Sequence, residues 1–133
     1  MPKFEIKNAG LLTTVQDLGR RGLAYYAMPQ SGVMDAQSAR VALLLLRLPE
    51  HYPLLECTAV APQLYFHDAT ELVVSGANFN WQLDGVPLSL NEVTPVSAGQ
   101  LLKGQVSRTG LRGYIAINGL LKVEELYGSA ATY

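Results

Sequence analysis

The stretch TTVQDLGRRG, residues 13–22, places an acid, two adjacent arginines and two glycines directly after a segment with the composition of a β-strand. Asp17, Arg20 and Arg21 can surround an anion, because the planar guanidinium suits carboxylate or phosphate and glycine lets the backbone approach closely. The same residues also fit a turn in which Asp17 pairs with an arginine at the surface. The spacing matches neither a Walker loop nor a dinucleotide fingerprint. Both interpretations, an anion-binding loop and a plain turn, therefore stay open.

A second candidate segment is PQSGVMD, residues 29–35, which leads into a helical pattern. The free N–H groups and the dipole at a helix N-terminus favour an acidic or anionic partner. Asp35 satisfies that need alone if it acts as the N-cap. Ser31 at the same end can still face a binding pocket.

Two strand-like segments carry further candidates. Glu56 lies between apolar neighbours in LLECT, where it either faces inward, with a raised pKa suited to acid or base catalysis, or points to solvent. Arg112 and Tyr114 open the hydrophobic segment RGYIAI. Arg112 can bind a carboxylate at the rim of a β-barrel or hold nearby carbonyl groups as a structural residue.

Composition excludes several classes of function. Ten basic and eleven acidic residues in 133 give a net charge of -1, which provides no electrostatic basis for binding nucleic acid or an anionic membrane. Cys57 is the single cysteine, so an internal disulfide is impossible, and His51 and His67 are isolated, so no metal ligand set is seen. The longest apolar run is too short to cross a bilayer and the N-terminus has no signal-peptide core. We expect a cytoplasmic protein.

The pattern predicts a mostly β chain with one main helix. Apolar residues at helical spacing predict an α-helix over about residues 35–48, begun by Asp35 and ended by Pro49. Most of the remaining chain reads as short strands, with an opening hairpin turned by NAG at residues 8–10. The Asp84-Gly85 pair predicts a tight two-residue hairpin. Short strands at close spacing favour an antiparallel barrel or sandwich in a single domain covering residues 1–133.

Several stretches together resemble a known family. NAGLLTTVQDLGRRG, PQSGVMDAQSAR, LLECT, VVSGAN, LDGVPL, LRGYIAINGL and YGSAATY occur in the order found in the biotin-dependent carboxyltransferase family. This family includes the allophanate hydrolase subunit 2 domain, the C subunits of 5-oxoprolinases and the antagonist of a sporulation kinase inhibitor. The resemblance implies a cyclophilin-like antiparallel β-barrel and a match to the N-terminal half of a two-barrel protein.

The resemblance also implies an activity. Its members are linked to ATP-dependent opening or hydrolysis of amide bonds with a partner subunit of the subunit 1 or kinase-inhibitor type. In fused urea amidolyases they are linked to carboxyl transfer from biotin to urea. We therefore expect a small carboxylate or amide substrate, ATP used through the complex, and biotin only in carboxyltransferase relatives. An isolated half is expected to be inactive, because the family site uses both halves.

The family motifs select the site residues. Asp17 and Glu56 are the implied catalytic residues, and the implied substrate-binding residues are Arg20, Ser31, Asp35, Arg112 and Tyr114. The chain departs from the usual pattern at Ala42, Ala61, Asn118 and Ala130. These departures leave open a binding module that regulates a kinase-inhibitor-type partner, or a degenerate barrel retained for structure.

Overall fold

The computed structural model describes residues 3–8, 12–17, 32–50, 52–107 and 110–119, with the backbone alone for 12–17 and 32–35. Its one long helix, α1, spans Gly32–Leu45. The strands are β1 Phe4–Asn8, β2 Leu12–Asp17, β3 Pro53–Thr58, β4 Gln63–Phe66, β5 Thr70–Gly76, β6 Gln82–Leu83, β7 Val86–Pro87, β8 Thr94–Val96, β9 Leu101–Lys103 and β10 Arg112–Ile117.

The strands form two five-stranded antiparallel sheets. The first has the order β1-β4-β9-β6-β7 and the second has the order β2-β3-β10-β5-β8. The prediction of a mostly β chain with antiparallel sheets and one main helix is confirmed. Closure of the sheets into a cyclophilin-like barrel stays a prediction.

The predicted opening hairpin is wrong. Strand β1 pairs with β4 in the first sheet, whereas β2 pairs with β3 in the second. Local alternation of apolar residues identifies a strand but not its partner, and here the partners come from distant parts of the chain. The Asp84-Gly85 hairpin is confirmed: Asp84 has φ 50°, Gly85 has φ 83°, and the turn joins β6 to β7.

One buried apolar cluster includes side chains of both sheets. Its largest fully buried members include Trp81, Phe66 and Phe79. The rings of Phe79 and Trp81 lie 5.4 Å apart between centroids, within the range of favourable aromatic pairing. Contact across the sheets is close enough that Gly113 of β10 has no room for a Cβ beside Phe79.

Helix α1 packs on β5 and β10 of the second sheet. Ala39, Ala42, Leu43 and Leu46 are buried, as their helical spacing predicted. The helix starts three residues before the predicted cap, so Asp35 belongs to its first turn and is not the N-cap. Acidic residues are favoured throughout that turn, so an aspartate by itself does not locate the start.

The helix also ends before the predicted stop at Pro49. The Arg47 N–H donates to the carbonyl of Leu44 and the Leu48 N–H donates to that of Leu43, both at 2.9 Å, and Arg47 has φ 59°. This is a Schellman motif, which satisfies the last carbonyl groups with a left-handed residue. The left-handed position of this motif is usually glycine. Because Arg47 occupies it, the sequence carries no signal of the helix end there.

Candidate functional site

The register of the second sheet brings polar residues of β3, β10 and β5 into one row, next to Thr14 of β2, whose Cα pairs with that of Glu56. Tyr114 of β10 pairs directly with Glu56 of β3 on one side and with Ser75 of β5 on the other. Directly opposed residues of antiparallel strands project from the same face of a sheet. The Ser75 hydroxyl donates to the Ser38 carbonyl of α1 at 2.8 Å, so this row lies on the face that the helix covers.

Glu56 is buried and hydrogen-bonded within this row. Only 6% of Glu56 and 3% of Tyr114 is exposed, and the Tyr114 hydroxyl donates to Glu56 Oε2 at 2.8 Å. The structure therefore decides the question that the strand pattern left open, because Glu56 does not point to solvent. Glu56 is the one buried charged residue among the described side chains. A carboxylate held by a hydroxyl in such surroundings can accept or return a proton in a defined direction.

Arg112 lies in the neighbouring row, toward the start of β10. It is half-buried, stands two residues before Tyr114 on β10 and pairs with Thr58 of β3. Alternation along a strand places Arg112 and Tyr114 on one face, about 7 Å apart. A guanidinium there provides a cation at the end of the strand, beside the buried carboxylate.

The backbone around Arg112 is held by Gly76 and Ala77, at the end of β5. The Ala77 N–H donates to the Arg112 carbonyl at 2.9 Å, and Gly76 has φ 80°. A Cβ on Gly76 would stand 2.7 Å from that carbonyl oxygen, closer than real Cβ contacts allow. The close approach at Gly76 therefore fixes the position of the first residue of β10 relative to the end of β5. VVSGAN is one of the motifs that carry the family resemblance, but sequence reasoning missed its contribution to this end of the sheet.

Sequence reasoning also missed Ser75, which neighbours Tyr114 in the row and serves the packing of the helix on the sheet. The signal available in the sequence was one hydroxyl in the otherwise apolar strand ELVVSGA. Its hydrogen bond ties the first half of α1 to the end of β5 where Tyr114 and Glu56 lie.

The structure describes the other candidates less fully. Asp17 ends β2 and its Cα pairs with that of Pro53, three residues along β3 from Glu56, or about 10 Å. Arg20 and Ser31 lie outside the described residues. Asp35 is described only by its helical backbone. Of the seven predicted residues, Glu56, Arg112 and Tyr114 are therefore the three that the structure brings together, and the roles of all seven stay predictions.

Cys57 projects from the opposite face of β3. Its thiol donates to the carbonyl of Gly113 at 3.5 Å, and burial raises its pKa to about 12. A thiol so hard to ionise is a poor nucleophile, because the thiolate is the reactive form.

No helix in the described part of the chain is long and apolar enough to cross a membrane.

Comparison with known proteins identifies the class of domain. Urea amidolyase of K. lactis superposes with a TM-score of 0.76 and 34% identity, over 87% of this chain and 7% of that one. Urea amidolyase of Lachancea kluyveri is 35% identical over 131 residues, 98% of this chain. The C subunit of the Escherichia coli 5-oxoprolinase is 31% identical over 129 residues, 97% of this chain. The fold and the sequence therefore define a domain of the kind found in these proteins.

The family described as carboxyltransferase domain, subdomain A and B, matches residues 26–133. The chain belongs to this family, which confirms the resemblance drawn from its motifs. It spans 7% of the Lachancea kluyveri urea amidolyase and 42% of the Escherichia coli 5-oxoprolinase C subunit.

Proposed function

We propose that this chain forms part of a subunit of an ATP-dependent amide hydrolase that acts with a partner subunit. The first candidate activity is 5-oxoprolinase, which opens 5-oxoproline to glutamate, and the second is a reaction of the allophanate hydrolase type. Family membership and the 31% sequence identity with the Escherichia coli 5-oxoprolinase C subunit support this proposal. We further propose that the two sheets make one cyclophilin-like unit, the N-terminal half of a two-barrel protein.

The observation that carries the proposal is the buried Glu56–Tyr114 pair beside Arg112. Opening a lactam adds water across a C–N bond, so a proton must leave the attacking water and another must reach the departing nitrogen. We assign this proton exchange to Glu56, because its carboxylate is buried and held by a hydroxyl. Arg112 would bind the substrate carboxylate, since guanidinium and carboxylate form paired hydrogen bonds.

The remaining predicted residues complete the proposed site. Arg20 would share the substrate carboxylate with Arg112. Asp17 keeps its predicted catalytic role, to orient the substrate or exchange a proton with it, and the predicted substrate-binding role is kept for Ser31 and Asp35. We assign ATP to the complex, because this sequence has neither a Walker loop nor a dinucleotide fingerprint. Biotin enters only if the activity is of the urea carboxylase type.

The test uses the full-length protein reconstituted with its partner subunit and measures ATP hydrolysis that depends on 5-oxoproline. Glu56→Gln should lower kcat about 100-fold or more, as expected for loss of an acid–base group. The matched control is Glu92→Gln, which removes an exposed carboxylate and should leave kcat unchanged. Arg112→Ala should raise KM about tenfold or more. Wild-type kinetics in Glu56→Gln would refute the catalytic role.

A second candidate function is supported by the outer side of α1. Leu44 is 74% exposed, and Val41 and Leu45 are exposed beside it. A hollow of about 260 Å³ adjoins them, lined by Arg40, Leu43, Leu44, Leu48 and Glu50. Exposed apolar patches rimmed by polar residues mark protein interaction sites. This side fits a non-catalytic module that holds and regulates a kinase-inhibitor-type partner.

Co-purification tests the contact surface, and 5-oxoproline-dependent ATP hydrolysis by the captured complex separates the two candidates. Leu44→Ser should abolish capture of the neighbouring gene's product if α1 is the contact surface, whereas Leu111→Ser, at another exposed leucine, should not. Capture without 5-oxoproline-dependent ATP hydrolysis would favour the binding module. Turnover by the complex would favour the hydrolase.

A further inference from the structure

We propose that Tyr114 is a positioning residue for Glu56, and that its hydroxyl orients the carboxylate and favours its ionised form. This inference rests on the proposed function, in which Glu56 exchanges the proton. It gives Tyr114 a different task from the substrate binding that the family motif suggested.

The geometry restricts what Tyr114 can do. Its backbone and that of Glu56 are direct partners in the β3–β10 ladder, so the two side chains leave the same face about 5 Å apart. The tyrosine is 3% exposed, and its hydroxyl is a hydrogen-bond donor to Glu56 Oε2. A phenol packed between a sheet and a helix cannot turn toward a substrate at the rim without breaking that bond.

The charged and titratable neighbours of Glu56 support this assignment. On β10 they are Tyr114 and Arg112, and on β3 the adjacent Cys57 points to the other face. From α1, Arg40 is exposed and pairs with Glu50 at 3.4 Å, away from the site.

Two further acidic positions lie on the packed elements. Asp17 on β2 stands three residues along the ladder from Glu56, and Asp35 lies in the first turn of α1. The Tyr114 hydroxyl is an uncharged donor held against the carboxylate at 2.8 Å. Its removal should make ionisation of Glu56 less favourable.

Tyr114→Phe removes the hydroxyl and keeps the ring. Ser75→Ala is the matched control, because Ser75 is equally buried in the same row and its hydrogen bond has the same length but goes to a helix carbonyl. In the reconstituted full-length complex with 5-oxoproline and ATP, Tyr114→Phe should lower kcat about tenfold. It should also shift the acid limb of the kcat–pH profile upward by about one pH unit, while KM stays within about twofold. Ser75→Ala should not move the profile. A KM raised about tenfold in Tyr114→Phe, with the pH profile unmoved, would overturn the proposal and return Tyr114 to substrate binding.

A second measurement does not depend on turnover. In the full-length protein labelled with ¹³C at glutamate carboxyl carbons, the Glu56 resonance is assigned by its loss in Glu56→Gln. Its titration midpoint should rise by about one pH unit in Tyr114→Phe, a tenfold gain in proton affinity. An unchanged midpoint refutes the positioning role even if the complex is active. A shifted midpoint in a complex without turnover supports that role and refutes the hydrolase proposal.

Discussion

Replacing Gly113 by alanine tests how closely β10, the strand that carries Arg112 and Tyr114, packs against Phe79. A Cβ at position 113 would stand 2.5 Å from Phe79 Cε1 and 3.4 Å from Cys57 Sγ. Phe79 is fully buried and packed against Trp81, so it cannot move aside freely. The alanine must therefore push two packed layers apart by close to an ångström.

Such overpacking costs about 2 kcal/mol, within the usual range for an extra methyl group in a full core. The unfolding entropy of a 133-residue domain is about 0.28 kcal/mol/K, so Gly113→Ala should lower Tm by about 7 °C. Phe79→Leu should vacate the space that the methyl group needs. The double variant should consequently be more stable than the sum of the two single effects by about 1 kcal/mol or more.

The assay is thermal unfolding monitored by circular dichroism. It compares wild type, Gly113→Ala, Phe79→Leu and the double variant. Gly85→Ala provides a comparison, because Gly85 has φ 83° but open space around its Cβ position. Its cost is conformational, and Phe79→Leu should not relieve it. A Tm for Gly113→Ala within about 2 °C of wild type, or strict additivity with Phe79→Leu, would show that the steric reasoning is wrong.

Three further predictions follow from local contacts. Cys57, with its pKa raised to about 12 by burial, should stay unlabelled by a thiol reagent at neutral pH in the native protein and react once unfolded by guanidinium chloride. Hydrogen bonds from His67 and Lys7 lower the pKa of Glu5 below its ordinary 4.5, so Glu5 stabilises the fold above that pH and the contribution is lost as pH falls. Glu5→Gln should therefore lower Tm at pH 7, and the difference from wild type should vanish in strong acid. Arg47→Gly should raise the free energy of unfolding by about 1 kcal/mol in denaturant titration, because the residue has φ 59°; a loss of stability would contradict the assigned Schellman motif.

Local patterns predicted the elements more reliably than their pairing. The alternation of apolar and charged residues over residues 3–7 and the Asp84-Gly85 turn correspond to β1 and the β6–β7 hairpin. The same signals could not show that β1 joins β4, because pairing partners depend on contacts between distant segments. Strand β8, Thr94–Val96, was not predicted, since three residues with a central proline give almost no periodic signal.

For the candidate site, the motifs selected Glu56, Arg112 and Tyr114, although the residues alone left more than one interpretation open. They could not show that two of these side chains share a hydrogen bond, because Glu56 and Tyr114 are 58 residues apart and meet only through the register of β3 and β10. Ser75 escaped notice for the same reason, as its partner Ser38 belongs to the helix above it.

The sequence by itself determined the family, the mostly β composition, the buried side of the helix and the residue types available for chemistry. The family follows from the resemblance of its ordered motifs, and the other properties follow from composition and from hydrophobic periodicity along the chain. Tertiary structure alone decided that Glu56 is buried, that Tyr114 holds it, and that Gly113 leaves room for Phe79 on the opposite face. The reason is physical: burial and register arise when separate segments pack, and a single residue of shift would turn the whole row toward the other face of the sheet.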